Sequence, residues 1–145
     1  VHADDAPFLD GTREPLLPSG RRGQLMAALG RVVDLCPPVY RLDALPPGGV
    51  VAGLRVVPTP GHTPGHVCLW HEEDGALLSG DAVVVEAGEP ALPASSLSHD
   101  PPRARAALAA LGGLPLRHLL PGHGAPILDD AGARVAALLR RLGLV

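Results

Sequence analysis

Thr59-Pro60-Gly61-His62-Thr63-Pro64-Gly65-His66 places two histidines four residues apart. On a helix that spacing would put both rings on one face, ready to share a metal. Pro60, Gly61, Pro64 and Gly65 make a helix untenable, so the octapeptide is a punctuated loop. The two histidines then need not share an ion, and His66 is expected beneath the loop, hydrogen-bonding backbone. Apolar runs flank the loop as strands: Leu54-Arg55-Val56-Val57 before it and Val67-Cys68-Leu69-Trp70 after it.

Moving outward, the same design recurs at two more places. Leu54 to Val57 leads through Pro60-Gly61 to His62; Ala76 to Leu78 leads through Ser79-Gly80 to Asp81; Leu119-Leu120 leads through Pro121-Gly122 to His123. Each apolar strand runs into small residues and delivers one metal-competent side chain. Taken singly, a His after Pro-Gly is usually a loop residue and a Gly-Asp is usually a turn. Three together point to a metal site, because a catalytic ion needs several N/O ligands converging on one point with a position left for water. Nitrogen and oxygen donors suit zinc and neighbouring transition ions rather than calcium or magnesium.

The rest of the chain supplies layers around these strands. Val1 to Leu9 reads as a strand entering an irregular stretch, and Leu25, Met26, Leu29, Val32 and Val33 give a helix over Gly20 to Leu35, stopped by Pro37 and Pro38. Arg41 to Gly53 is a connector, Asp74-Gly75 a turn, Ala82 to Glu86 a further short strand and Ala87 to Ser98 a loop, with the stretch Ala82 to Ser98 placed to line a substrate pocket. Asp100 then Pro101 begins a helix through Arg103 to Leu111, His118 to Leu120 is a buried strand, and Asp129 or Asp130 opens a last helix to about Leu142. Ser95, Ser96, Ser98 and His99 read as a polar lead-in to the Asp100 cap, not as a nucleophile–base pair. The pattern is an α/β sandwich in one domain over residues 1–145.

Composition narrows the partners. Hydrophobic residues make up 46%, yet Phe8, Tyr40 and Trp70 are the only aromatics, so the core is Leu, Val and Ala. All 12 basic residues are Arg, a bias that resembles GC-rich coding, and the net charge of −3 offers no footprint for nucleic acid or an anionic membrane. No apolar run approaches the roughly 18–20 residues that span a bilayer. Cys36 and Cys68 are too few for a disulfide scaffold, and Cys68 reads as a small buried hydrophobe. A cytoplasmic setting and a small-molecule substrate are expected; a beginning at Val1 leaves room for an upstream signal, and the oligomeric state stays open.

The octapeptide, with Ser79-Gly80-Asp81 and Pro121-Gly122-His123-Gly124 in the same order and spacing, strongly resembles the metallo-β-lactamase superfamily from Val1 to about Leu128. The resemblance implies an αβ/βα sandwich with a dinuclear site along one edge of the sheets. It implies that His62 binds the first metal, Asp81 bridges both and His123 binds the second. Zinc is the usual metal there, with iron or manganese in some members. The implied activity is metal-dependent hydrolysis, a metal-bound hydroxide attacking an ester, thioester, lactone, amide or phosphoester. With little chain after His123, no helical appendage of the hydroxyacylglutathione hydrolase kind is expected, which weakens the thioester option.

One family element has no counterpart. The superfamily carries an upstream His-x-His-x-Asp-His motif, whereas the histidines here stand at 2, 62, 66, 71, 99, 118 and 123, no two of them two apart. Val1-His2-Ala3-Asp4-Asp5-Ala6-Pro7 resembles the strand that follows that motif, so the chain is expected to be the C-terminal portion of the fold, with His2 a strand residue and not a ligand. Such a portion is expected to bind metal weakly, hydrolyse little and leave sheet faces uncovered. Two other readings remain at this point: a non-catalytic remnant serving as a structural or binding domain, and a mononuclear His62/Asp81/His123 site.

Overall fold

The computed structural model describes residues 1–14, 16–17, 21–30, 39, 43, 45 and 48–145. Seven strands are described: β1 (Val50–Val51), β2 (Leu54–Pro58), β3 (Val67–His71), β4 (Ala76–Gly80), β5 (Val84–Glu86), β6 (Glu89–Ala91) and β7 (His118–Pro121). Four α-helices accompany them: α1 (Ala6–Leu9), α2 (Arg21–Gly30), α3 (Pro101–Ala107) and α4 (Ala131–Arg141). The mixed α/β class read from the sequence holds.

Five strands form one sheet in the order β1-β2-β3-β4-β7. The first four zigzag antiparallel, as short turns require, while β7 joins β4 in parallel, pairing Leu77 with Leu119 and Leu78 with Leu120. Side chains alternate faces along each strand. Val57, Cys68, Trp70, Leu77 and Leu119 therefore point to one face, where Leu108, Leu111, Val135, Leu138 and Leu139 cover them as the core. The other face carries Leu69, Leu78 and Leu120, which the register brings side by side.

The covering helices follow their sequence signals. The Asp100 carboxylate accepts from the Arg103 amide at 3.0 Å and Pro101 opens α3, which tightens into a 3₁₀ turn over Leu108–Leu111. In α4, Ala131, Val135, Leu138 and Leu139 make the i, i+4, i+7, i+8 stripe that is buried against the sheet.

Two expectations are corrected. Val1 to Leu9 is not a strand, and His2 is not a strand residue: Ala3–Asp5 form a turn and α1 follows, because Asp5 and Pro7 make a helix start and the segment lacks apolar alternation. Ala87 to Ser98 is not simply a loop: β5 and β6 form a separate antiparallel hairpin, and Ser95–Leu97 is a 3₁₀ turn. The hairpin turns through Ala87 (φ 50°) and Gly88 (φ 84°), the two consecutive left-handed residues of a tight reverse turn. Helix α2 lies inside its expected span; residues 31–38, where that helix was to end, lie outside the described residues. Among the described residues, no helix is long and apolar enough to cross a membrane.

Candidate metal centre

His62, Asp81 and His123 meet at one end of the sheet. Asp81 and His123 follow closely on the ends of the parallel strands β4 and β7, and His62 sits on the β2–β3 loop beside them. His62 Nε2 lies 3.4 Å from Asp81 Oδ2, and His123 Nε2 lies 3.6 Å from Asp81 Oδ1. The carboxylate thus stands between the rings and turns one oxygen to each. The three form an open row: among the described residues, no three His, Cys, Asp or Glu side chains are gathered closely enough to hold one metal ion together.

The backbone explains how the row is built. β4 and β7 stay in register until Leu78/Leu120 and then shift, so that Gly80 faces Pro121, and the Gly122 amide donates to the Gly80 carbonyl at 2.8 Å. A β-carbon at Gly122 would lie 2.7 Å from Asp81 Oδ1, so only glycine lets this strand end approach the carboxylate. The Asp81 turn itself is fastened by buried Ser79, whose hydroxyl donates to the Val83 carbonyl at 2.7 Å and whose carbonyl accepts from the Ala82 amide at 3.1 Å.

His66 secures the turn from below. Its Nε2 accepts from the Asp81 amide at 3.2 Å, which places the ring proton on Nδ1, 2.9 Å from Thr59 Oγ1. Thr59 is in turn 3.3 Å from the Cys68 sulfur, and Cys68 donates to the Ser79 carbonyl at 3.5 Å. The chain of bonds leaves Asp81 at its amide and returns two residues before it. His66 must be neutral to accept, and its pKa is lowered, first by burial and then by repulsion from His62, against the raising pull of the Asp81 and Asp5 carboxylates. Burial likewise pushes the Cys68 thiol up to about 11.

The donors fit a metal. Asp81 Oδ1 and His62 Nδ1 are buried with no hydrogen-bond partner among the described residues, and a buried carboxylate oxygen without a partner carries a desolvation cost that a cation would relieve. Asp81 and the two facing imidazoles are the N/O set that zinc and iron accept.

Two cavities flank the row. One of about 280 Å³ is walled by Leu16, Leu17 and Leu97 with Thr63, Ser98 and His99; another of about 180 Å³ lies against Val84, Val85, Pro93 and Ala94. Leu97, on the 3₁₀ turn, borders both. The expected pocket-lining segment is therefore in place, and Ser98 and His99 belong to its wall with no hydrogen bond between their side chains among the described residues. Sequence reasoning had no signal for Asp5, whose carboxylate reaches the His62 loop from the N-terminal turn.

Comparison with known proteins places the chain in a family. Residues 8–137 match the family model described as the metallo-beta-lactamase superfamily. A probable metallo-hydrolase, YflN, of Bacillus subtilis (strain 168) is 30% identical over 88% of this chain and 54% of its own length. The thioesterase pkgB of Emericella nidulans is 37% identical over 54% of this chain and 21% of its own length. Among solved structures, TTHA1623 in a di-iron-bound form superposes with a TM-score of 0.63 at 27% identity, over 93% of this chain and 61% of that one. A metallo-beta-lactamase family protein of Thermus thermophilus superposes at 0.61 with 26% identity, over 97% of this chain and 51% of that one. The chain spans about half the length of the first of these relatives.

Proposed function

Because the chain belongs to the metallo-β-lactamase superfamily, we propose that it contributes His62, Asp81 and His123 to the dinuclear centre of a metal-dependent hydrolase, His62 on one ion, His123 on the other and Asp81 bridging the two. The observation that carries the reading is the Asp81 carboxylate, which offers a different oxygen to each histidine and leaves buried Oδ1 without a hydrogen-bond partner among the described residues. That arrangement suits two ions better than one, and so disfavours a mononuclear site.

Two divalent ions bound there supply Lewis acidity and an acidified water. The chain's own residues do the positioning. His66 holds the Asp81 amide, and with it the bridging carboxylate, at a fixed height beneath the row. The two cavities give a scissile group room to lie across the row with one substituent on each side. Thr63, Ser98 and His99 offer polar contacts to one substituent, and the Val84–Val85 wall suits an apolar part of the other. The substrate class is an ester, thioester, lactone, amide or phosphoester; the likeness to a thioesterase adds support to the thioester. Zinc is the proposed metal, with iron as the alternative that the di-iron neighbour suggests.

Within residues 1–145 each ion has one imidazole and the shared carboxylate, fewer protein ligands than the three or four of ordinary zinc sites. Weak zinc binding and little hydrolysis are expected of this chain alone. Zinc titration by competition with a chromophoric chelator tests the reading. Asp81→Ala should abolish binding, and His62→Ala and His123→Ala should each weaken it. Binding undiminished in Asp81→Ala overturns the site, and tight double occupancy of the parent overturns the weak-binding expectation.

A further inference from the structure

We propose that Asp5 is a positioning residue for His62, holding the ligand loop through Thr63 and Gly65; the inference rests on the metal-site reading above. One carboxylate serves two donors of that loop: Asp5 Oδ2 accepts from Thr63 Oγ1 at 2.6 Å and Oδ1 from the Gly65 amide at 2.7 Å. Both are short, as hydrogen bonds to an ionised acceptor are. The donors straddle Pro64, which has no N–H of its own, so the carboxylate grips the loop across its stiffest residue.

Thr63 is the hub of the loop. Its carbonyl accepts from the Gly61 amide at 2.8 Å and the His66 amide at 3.3 Å, closing a ring of backbone around His62. On the other side the His62 carbonyl accepts from the His99 amide at 3.0 Å and the Gly61 carbonyl from the Asp100 amide at 2.8 Å. The Thr59 amide fastens the base of the loop at the His66 carbonyl, 2.9 Å away, so that without Asp5 the segment Thr63 to Gly65 loses its side-chain clamp and the imidazole gains freedom between that base and the Asp100 side. The local choice at Asp5 points the same way. It occupies the N-cap of α1, where an aspartate ordinarily accepts from the first helical amides, yet it makes no side-chain cap bond there. A carboxylate withheld from its own helix and given to a loop some sixty residues away serves the loop.

The full chain tests this with two readouts: zinc affinity by chelator competition, and the ring resonances of His62 and His118 by proton–carbon NMR without metal. Asp5→Ala and Thr63→Val should each weaken zinc binding about tenfold, the lower end of the loss typical when a ligand's support is removed. The double variant should be no weaker than Asp5→Ala, because that change already removes the bond that Thr63→Val cuts. Thr63→Ser, which keeps the hydroxyl, should restore the parent affinity. The His62 resonance should move in the two weakened variants while His118, on the far end of β7, stays put. Affinities within twofold of the parent with an unmoved His62 resonance overturn the proposal, as does a loss that persists in Thr63→Ser. If Asp5→Ala does not fold, Thr63→Val decides alone. A parent that binds zinc no better than His62→Ala refutes the metal-site reading instead, and the His62 resonance then decides the role of Asp5 by itself.

Discussion

Asp81 is tied down at its backbone and left free at its side chain, and this division of labour runs through the site. Buried Ser79, Thr59 and Cys68, with His66, spend their polar atoms on fixing where Asp81 begins, so that its carboxylate needs no other support. At this scale the sequence was legible where chemistry is local. Pro-Gly before a histidine and Gly before an aspartate, repeated at three strand ends, mark side chains that converge, because the small residues are what the close approach of β7 to β4 requires. Asp5 was illegible because its partners lie some sixty residues away and nothing in Ala3-Asp4-Asp5-Ala6 marks which carboxylate is used.

Cys68 yields the pH prediction. Its thiol is raised from 9.0 to about 11, so the folded state favours the neutral form. Below pH 9 both states hold the proton and the folded state keeps its full stability; as pH rises from 9 to about 11 the unfolded thiol ionises first and the folded state loses stability. Alkylation at pH 8, mapped by mass spectrometry, should leave Cys68 unmodified in the folded chain and label it in denaturant, and the unfolding midpoint should drop between pH 9 and 11. Equal labelling in both states would refute this.

At the scale of elements, α3 shows how a seven-residue helix is kept in place. It is too short to persist on propensity, so its start depends on Asp100. Asp100→Ala removes the bond to the Arg103 amide and should cost about 1 kcal/mol in urea denaturation, with Asp100→Ser recovering most of it. A change below the error of that measurement would show that packing of Ala104 and Leu108 alone holds the helix. Elements with strong local signals were readable: β2, β3, β4, β7, α3 and α4 fall close to where alternation, caps and the helical stripe put them. β5 falls inside the strand expected over Ala82 to Glu86, but β6 and its pairing into a hairpin were missed because the turn is Ala87-Gly88. An asparagine or aspartate there would have announced two left-handed residues, whereas alanine adopts φ 50° only under the constraint of the paired strands.

Over the whole molecule, the two faces of the main sheet are treated unequally. One is sealed by α3, its 3₁₀ extension and α4; on the other, Leu78 and Leu120 are each 36% exposed side by side, with Val51 at 38% on the edge strand. Such a face attracts apolar partners and dyes. The chain should bind anilinonaphthalene sulfonate and self-associate in sedimentation, and Leu78→Glu with Leu120→Glu should suppress both. Unchanged dye binding in that double variant would place the sticky surface elsewhere, with the exposed Leu25 and Leu29 of α2 as the next suspects. Which residues sit on which face follows from pleat and register and was readable in outline. What the open face meets depends on partners that alternation does not encode.

The parallel joining of β7 to β4 has a consequence in time as well as in space. Every other pairing in the main sheet is a short antiparallel return, but this one closes over roughly forty residues, including the hairpin and α3. Loop-closure entropy makes such a pairing the slow step of a small domain. Asp81 and His123 are strangers until it is made, so the row of donors is assembled only when the last strand zips home. An ion captured there would act as a latch on an already finished fold, slowing its opening far more than it hastens its making.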